Sequence, residues 1–238
     1  MKYRIFFFSI LLFAFTTCKN EKTSEAGLIL KPDPTAMLAP DSLRYLLPVL
    51  DSVWYRDQLY RYNLNKGSSR EQQKRNKEFK KVGALVRKLD RKNLEVVESI
   101  IQKYGWLGPR EVGIRGMSAL FLPIQHADLK TQEKYLPLIK QAAIDKKLAP
   151  SNYAMLADRV EIKNKRPQVY GTQINFNNGS PEILPLLNPD SVDKWRKDIN
   201  MVETISEYVK RWNINWNAEV YKMQLPGLNV KYGIDGSD

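Results

Sequence analysis

The stretch REVGIRGMSALFLPIQHA, Arg110 to Ala127, decides how the chain folds. Its apolar residues Val112, Ile114, Met117, Leu120, Phe121, Leu122 and Ile124 point all round a helical wheel. That is the pattern of a helix enclosed by other helices, and it marks the expected centre of the fold. Pro123 removes a hydrogen bond to the carbonyl of Ala119 and so kinks or restarts this helix.

Helical periodicity continues on both sides. Asp41-Ser42 caps a helix running to about Asn63, with Leu43, Leu46, Leu47, Leu50, Trp54 and Leu59 on one stripe and Pro48 pointing to a later start. After the turn-like Asn65 to Ser69, a second helix is expected from about Arg70 to Lys88 and a third from Arg91 to Tyr104, stopped by Gly105. Further helices are expected at about Lys130 to Lys146, Pro150 to Ile162, Asp190 to Asp198 and Met201 to Trp212. Between them, Gln168 to Phe176 is rich in β-formers and runs into Asn177-Asn178-Gly179, the signature of a short hairpin. The fold expected over residues 41–223 is therefore mainly α, a compact bundle or short solenoid of helix pairs with one small β-hairpin. A frayed tail is expected over 224–238.

The 238 residues are 43% hydrophobic and 27% charged, which excludes wholesale disorder, a collagen-like repeat and a multi-span membrane protein. One Cys makes no internal disulfide, and one Cys with one His cannot supply the four N or S ligands of a structural zinc site. No metal and no cofactor is expected from the sequence.

The first seventeen residues read as a secretory signal: Lys2 and Arg4, an apolar run from Ile5 to Phe15, then Thr16 and Thr17. Eleven helical residues reach only about 17 Å, against a hydrocarbon core of roughly 30 Å. The run ends directly at Cys18, the order of a lipoprotein signal in which that cysteine is acylated and becomes the mature N-terminus. An ordinary secreted protein or an uncleaved anchor is the alternative. On the first reading residues 18–40, proline-dotted at Pro32, Pro34 and Pro40, form a tether, and the protein is a lipoprotein held at a membrane of the bacterial cell envelope.

Removing residues 1–17 leaves 36 basic and 26 acidic residues, a net of +10. Eleven basic residues against three acidic ones lie between Arg61 and Arg91. That segment is either a solvated face or the side that meets an anionic surface or polymer. Nucleic acid is not an expected partner, since no aromatic-and-basic recognition motif is present.

Polar residues in apolar company mark the candidate site. His126, the sole histidine, follows Gln125, and Arg115, Ala119, Leu122 and His126 share one stripe. Its imidazole suits proton transfer near neutrality, or is a hydrogen-bonded structural group at a helix end. On the helix that follows Pro150, Arg159 flanks the apolar face, while Asp158 is expected to point away from it into water. Gly171 implies a bulge or a close backbone approach, which lets Gln168, Tyr170 and Gln173 aim at one cavity for a neutral polar ligand or stitch the hairpin to the helices.

These residues fall in an ordered series: Asp57-Gln58 with Arg61, Gly105-Trp106, Gln125-His126-Ala127-Asp128, Asp158-Arg159-Val160, Gln168-x-Tyr170-Gly171-Thr172-Gln173, and Asp193 with Arg196. The series resembles an uncharacterised bacterial domain-of-unknown-function family, number 6624, over roughly Val53 to Trp212. The family's usual Gly-Trp-Pro is here Gly105-Trp106-Leu107, with proline at Pro109. The resemblance implies a common fold and a shared set of polar residues, and no activity. Three functional readings follow. The first is an exported, lipid-anchored domain binding a polar small molecule or polymer through Gln125, Arg159, Gln168, Tyr170 and Gln173. The second is a hydrolase- or transferase-like enzyme with His126 as general base. The third is a structural interaction module.

Overall fold

A computed structural model describes residues 33–65, 77–176 and 180–234, with all side chains except those of 59–65 and 77–82. The segment expected as a signal, most of that expected as a tether, the turn expected at 65–69 beyond Asn65, the segment 70–76, the hairpin turn expected at 177–179 and residues 235–238 lie outside the described residues. The architecture is mainly α. In chain order it comprises α1 (Leu46–Asn65), α2 (Lys77–Tyr104), α3 (Pro109–His126), α4 (Leu129–Ile144), α5 (Pro150–Lys163), β1 (Ile174–Asn175), β2 (Glu182–Ile183), α6 (Val192–Asp198), α7 (Ile205–Val209) and α8 (Ala218–Tyr232). No helix among the described residues is long and apolar enough to cross a membrane.

Local chemistry explains most boundaries. Pro48 sits in the first turn of α1, where its missing N–H would have had no intrahelical acceptor. The two helices expected on either side of Asp90 are one, because Leu89-Asp90-Arg91 contains no breaker and Val86, Asp90, Asn93, Val97 and Ile100 continue one stripe at helical spacing. Gly105 closes α2 in the left-handed region, φ 69°, its N–H donating to the Ile101 carbonyl at 2.8 Å.

Helix α3 is interrupted at Gly113, whose φ of 74° and ψ of 172° are not helical. The second segment therefore needs its own N-cap, and a distant part of the chain supplies it. The Ile114 N–H donates to Thr35 Oγ1 at 2.7 Å and the Arg115 N–H to Asp33 Oδ2 at 2.9 Å. A short 3-10 helix, Pro34–Leu38, lies so close that a Cβ on Gly113 would stand 2.8 Å from Asp33 Oδ2. The interruption also corrects the expected all-round enclosure: Ile114, first in the new segment, is 53% exposed.

Helices α1, α2 and α3 pack together, with α4 and α5 continuing the bundle. Arg115 meets Asp51 at 3.2 Å and His126 meets Asp57 at 2.8 Å, so α1 and α3 run the same way. The main core is built from Leu50, Val53, Val97, Leu120, Ile124, Ile139 and Leu156. A second core gathers Ile183, Leu186, Val192, Ile205, Tyr208, Val209, Tyr221 and Leu228. Among the described residues after Gln224, those to Tyr232 are helical where fraying is expected: they complete α8, which buries Tyr221 and Leu228 in that second core. The strands pair antiparallel with Ile174 opposite Ile183. Gln168 to Gln173, expected as strand, is instead irregular backbone tied to the chain before α6 by an isolated bridge to Leu186.

Candidate functional site

The C-terminal end of α3 is where the polar residues assemble. A helix end leaves carbonyls without intrahelical donors, and here side chains from α4 and α5 supply them. The Gln125 carbonyl accepts from Gln132 Nε2 at 2.8 Å and from Arg159 Nη1 at 3.0 Å. The Ala127 carbonyl accepts from Lys163 Nζ at 3.2 Å, and the same ammonium donates to Gln132 Oε1 at 2.9 Å. Two cations thus sit at the negative end of the α3 dipole. Burial, with the Arg159 guanidinium nearby, lowers the Lys163 pKa. Arg159 Nε also donates to Gln173 Oε1 at 3.3 Å, so Gln125, Arg159 and Gln173 do meet.

Asp158 is fully buried, which overturns the expectation that it faces water. The wheel places it on the outer side of α5 considered alone, but the irregular segment after Gln168 folds over that side. Its carboxylate accepts from the N–H groups of Val169, Tyr170 and Thr172 and from Thr172 Oγ1, each at 2.8 Å. Burial pushes its pKa up to about 6, against these four donors, which favour the charged form. Gly171 makes the close approach its place implied: φ is 68°, and a Cβ would lie 2.6 Å from Ile205 Cδ1.

The other polar residues of the series also work within the fold. Gln168 is fully buried, its Nε2 donating to the carbonyls of Gln173 and Leu184 and its Oε1 accepting from the Gln173 N–H. Tyr170 is half-buried, packs edge-on against Tyr153 with ring centroids 5.9 Å apart, and burial raises its pKa. Arg196, 1% exposed, reaches the carbonyls of Tyr170 and Glu203 at 2.6 and 2.8 Å. Asp193 accepts from the Ile205 N–H at 2.7 Å. Asp128 caps α4 through the Thr131 N–H at 2.8 Å, and that bond holds its carboxyl below the usual range.

His126 turns the other way, toward α1. Its Nδ1 lies 2.8 Å from Asp57 Oδ1, and Asp57 Oδ2 accepts from Gln58 Nε2 at 2.9 Å. The Asp57 side chain has no exposure, whereas that of His126 keeps 19%. Asp90, on α2, joins them: one donor atom from each of Asp57, Asp90 and His126 falls within 4.8 Å of the others. Asp57, named in the ordered series, continues the buried stripe Leu46, Leu50, Val53, and Asp90, outside that series, continues Val86, Asn93, Val97. A carboxylate on an apolar stripe needs a partner facing it.

Gln125 stands apart. It is 2% exposed, and neither its Nε2 nor its Oε1 has a hydrogen-bond partner. Trp106 Nε1, Arg196 Nη2 and Asn229 Oδ1 likewise lack a hydrogen-bond partner, though Arg196 Nη2 lies 3.9 Å from Glu203 Oε2, and Gln125 alone among the described residues has both ends of an amide unused. Two surface clefts lie elsewhere: one of about 360 Å3 beside Asn175, Trp216 and Tyr221, the other of about 280 Å3 beside Asp33, Leu47 and Val112. Neither is lined by Gln125, His126, Arg159, Gln168, Tyr170 or Gln173. Cys18 lies outside the described residues.

No curated protein and no solved structure matches the chain. Residues 76–220, from the start of α2 to the first turn of α8, match a sequence family, with Asp57 beyond the matched segment. A chain that carries this helical scaffold and its polar joint over most of its length belongs to the family of unknown function DUF6624.

Proposed function

We propose that the protein is an exported domain, held at a membrane of the cell envelope through an acylated Cys18, that binds a polar small molecule or polymer where α3 meets α5. Its basic stretch from Arg61 to Arg91 is oriented toward an anionic surface or polymer; Arg87, Lys88 and Arg91 in that stretch are exposed. The observation that carries the reading is the Gln125 amide. Leaving a buried polar group unpaired costs about 1–3 kcal/mol, a cost that hydrogen bonds from a polar ligand would offset. Arg159 and Gln173 bring a guanidinium and a second amide to the same helix end.

The test is a thermal-shift panel on the full chain, using mono- and oligosaccharides, amino acids, nucleotides and solubilised wall fragments as probes. At least one probe is expected to raise the melting temperature of the wild type and to leave Gln125→Leu unmoved. A panel that shifts neither protein sinks the binding reading. Labelling of expressing cells with a clickable fatty acid, lost in Cys18→Ala, tests the anchor.

The enzyme reading gains support from Asp57. A buried carboxylate 2.8 Å from Nδ1 fixes the ring and leaves Nε2 to act as a general base. The reading as a structural module accounts for Asp158, Gln168 and Arg196, whose hydrogen bonds are spent on backbone or on Thr172. It gives no account of Gln125.

A further inference from the structure

Three helices bring two carboxylates and the chain's single imidazole to one point. Asp57 comes from the buried stripe of α1, Asp90 from that of α2, and His126 from the last turn of α3. The 2.8 Å between His126 Nδ1 and Asp57 Oδ1 is near the roughly 3.0 Å that separates two ligands held at right angles about 2.1 Å from a cation. Two carboxylates around one imidazole make a donor set of hard oxygens and a borderline nitrogen. Gln58 fixes the second oxygen of Asp57, the kind of outer contact that orients a ligating carboxylate. The His126 side chain keeps 19% exposure, so the cluster borders solvent.

We propose that Asp57, Asp90 and His126 hold a divalent transition-metal cation at the junction of α1, α2 and α3. Two oxygens and one nitrogen favour Mn2+ or Zn2+ over a soft cation such as Cu+. Three protein ligands leave at least one position open, the arrangement of a catalytic site and not of a closed structural one. Counting only Cys and His in the sequence excludes a structural zinc site, but it does not count the two carboxylates that helical packing adds. This inference is independent of the ligand reading above, because it requires neither Gln125, Arg159 nor Gln173.

Asp57 and Asp90 each engage a further protein group as well, so the ion must bind alongside it or displace it. The experiment is isothermal titration of the chelator-treated full chain with MnCl2 and with ZnCl2, followed for Mn2+ by electron paramagnetic resonance. About one equivalent is expected to bind per chain with micromolar affinity or tighter. Asp90→Asn and His126→Gln are each expected to weaken binding at least about tenfold while the far-ultraviolet circular dichroism in chelator stays that of the wild type. Should His126→Gln fail to fold, Asp90→Asn, at a half-buried position, carries the test. Uptake below about a tenth of an equivalent overturns the proposal, and is the result if a protein cation already neutralises the pair. Binding left unchanged in both variants also overturns it, because the ion then sits elsewhere.

Discussion

Gln125 and Asp158 are both buried and polar, yet they respond oppositely to replacement. Gln125→Leu removes a buried amide with no hydrogen-bond partner and keeps most of its volume, so folding stability should rise by about 1 kcal/mol. Urea unfolding of the two proteins checks this; a loss of stability would show that the amide is paired in solution. Asp158→Asn turns an amide donor toward backbone N–H groups that already need an acceptor, and should cost about 2–3 kcal/mol. The pH dependence has a definite sign. Since the folded pKa of about 6 lies above the unfolded 3.8, the native state holds the proton more tightly, and that contribution is complete below pH 4 and disappears as pH rises through 6. The difference corresponds to about 3 kcal/mol. Unfolding free energies measured between pH 4 and 7 should therefore fall for wild type and run flatter for Asp158→Asn.

At the scale of elements, α3 depends on a cap supplied from 79 to 82 residues away. Burial would raise the Asp33 carboxyl, but its hydrogen bonds from Thr35 and Arg115 prevail and hold it low. Asp33→Ala should cost about 0.5–2 kcal/mol, the range for an N-cap, and the loss should show as a lower thermal midpoint. At wild-type Asp33 the same contribution is present above the ordinary carboxylate pKa and is lost as pH falls below it, the reverse of Asp158. The helices themselves were readable in the sequence, because periodicity and stop signals are local: Gly105 ends α2 and Pro150 starts α5 within a residue of expectation. What depends on two distant segments was not. The wheel of α5 considered alone turns Asp158 outward; only the loop from Val169 to Thr172, arriving from beyond the helix, makes that side an interior. His126 and Gln125 could be picked out as suspicious from their neighbours, whereas Asp57 as the group facing the imidazole required knowing that α1 and α3 run side by side. Helix persists past Gln224, where fraying is expected, because α8 is held in the second core by Tyr221 and Leu228.

For the whole molecule, the important joint is between the two cores. The helical bundle closes around Leu120 and Ile124, the C-terminal cluster around Ile205 and Leu186, and much of what crosses between them is polar. Asp158 on one side grips the backbone of Val169 to Thr172, while Arg196 on the other grips the carbonyl of Tyr170 and Tyr208 Oη donates to that of Thr172 at 2.9 Å. Hydrogen bonds of this kind are directional and contribute little that apolar contact could replace once lost. Arg196→Leu should therefore release the C-terminal cluster preferentially: in native-state hydrogen exchange, amides of α7 and α8 should lose protection, and those of α2 and α3 keep it. Uniform loss across both cores would mean that they form a single cooperative unit.

The stitch from Asp33 and Thr35 to the backbone after Gly113 has a mechanical corollary. At Asp33 and Thr35 the chain is fastened to the very rod whose far end aims the imidazole. Tension reaching Asp33 from its N-terminal side would therefore meet the two hydrogen bonds to Ile114 and Arg115 before it reached α1 along the chain.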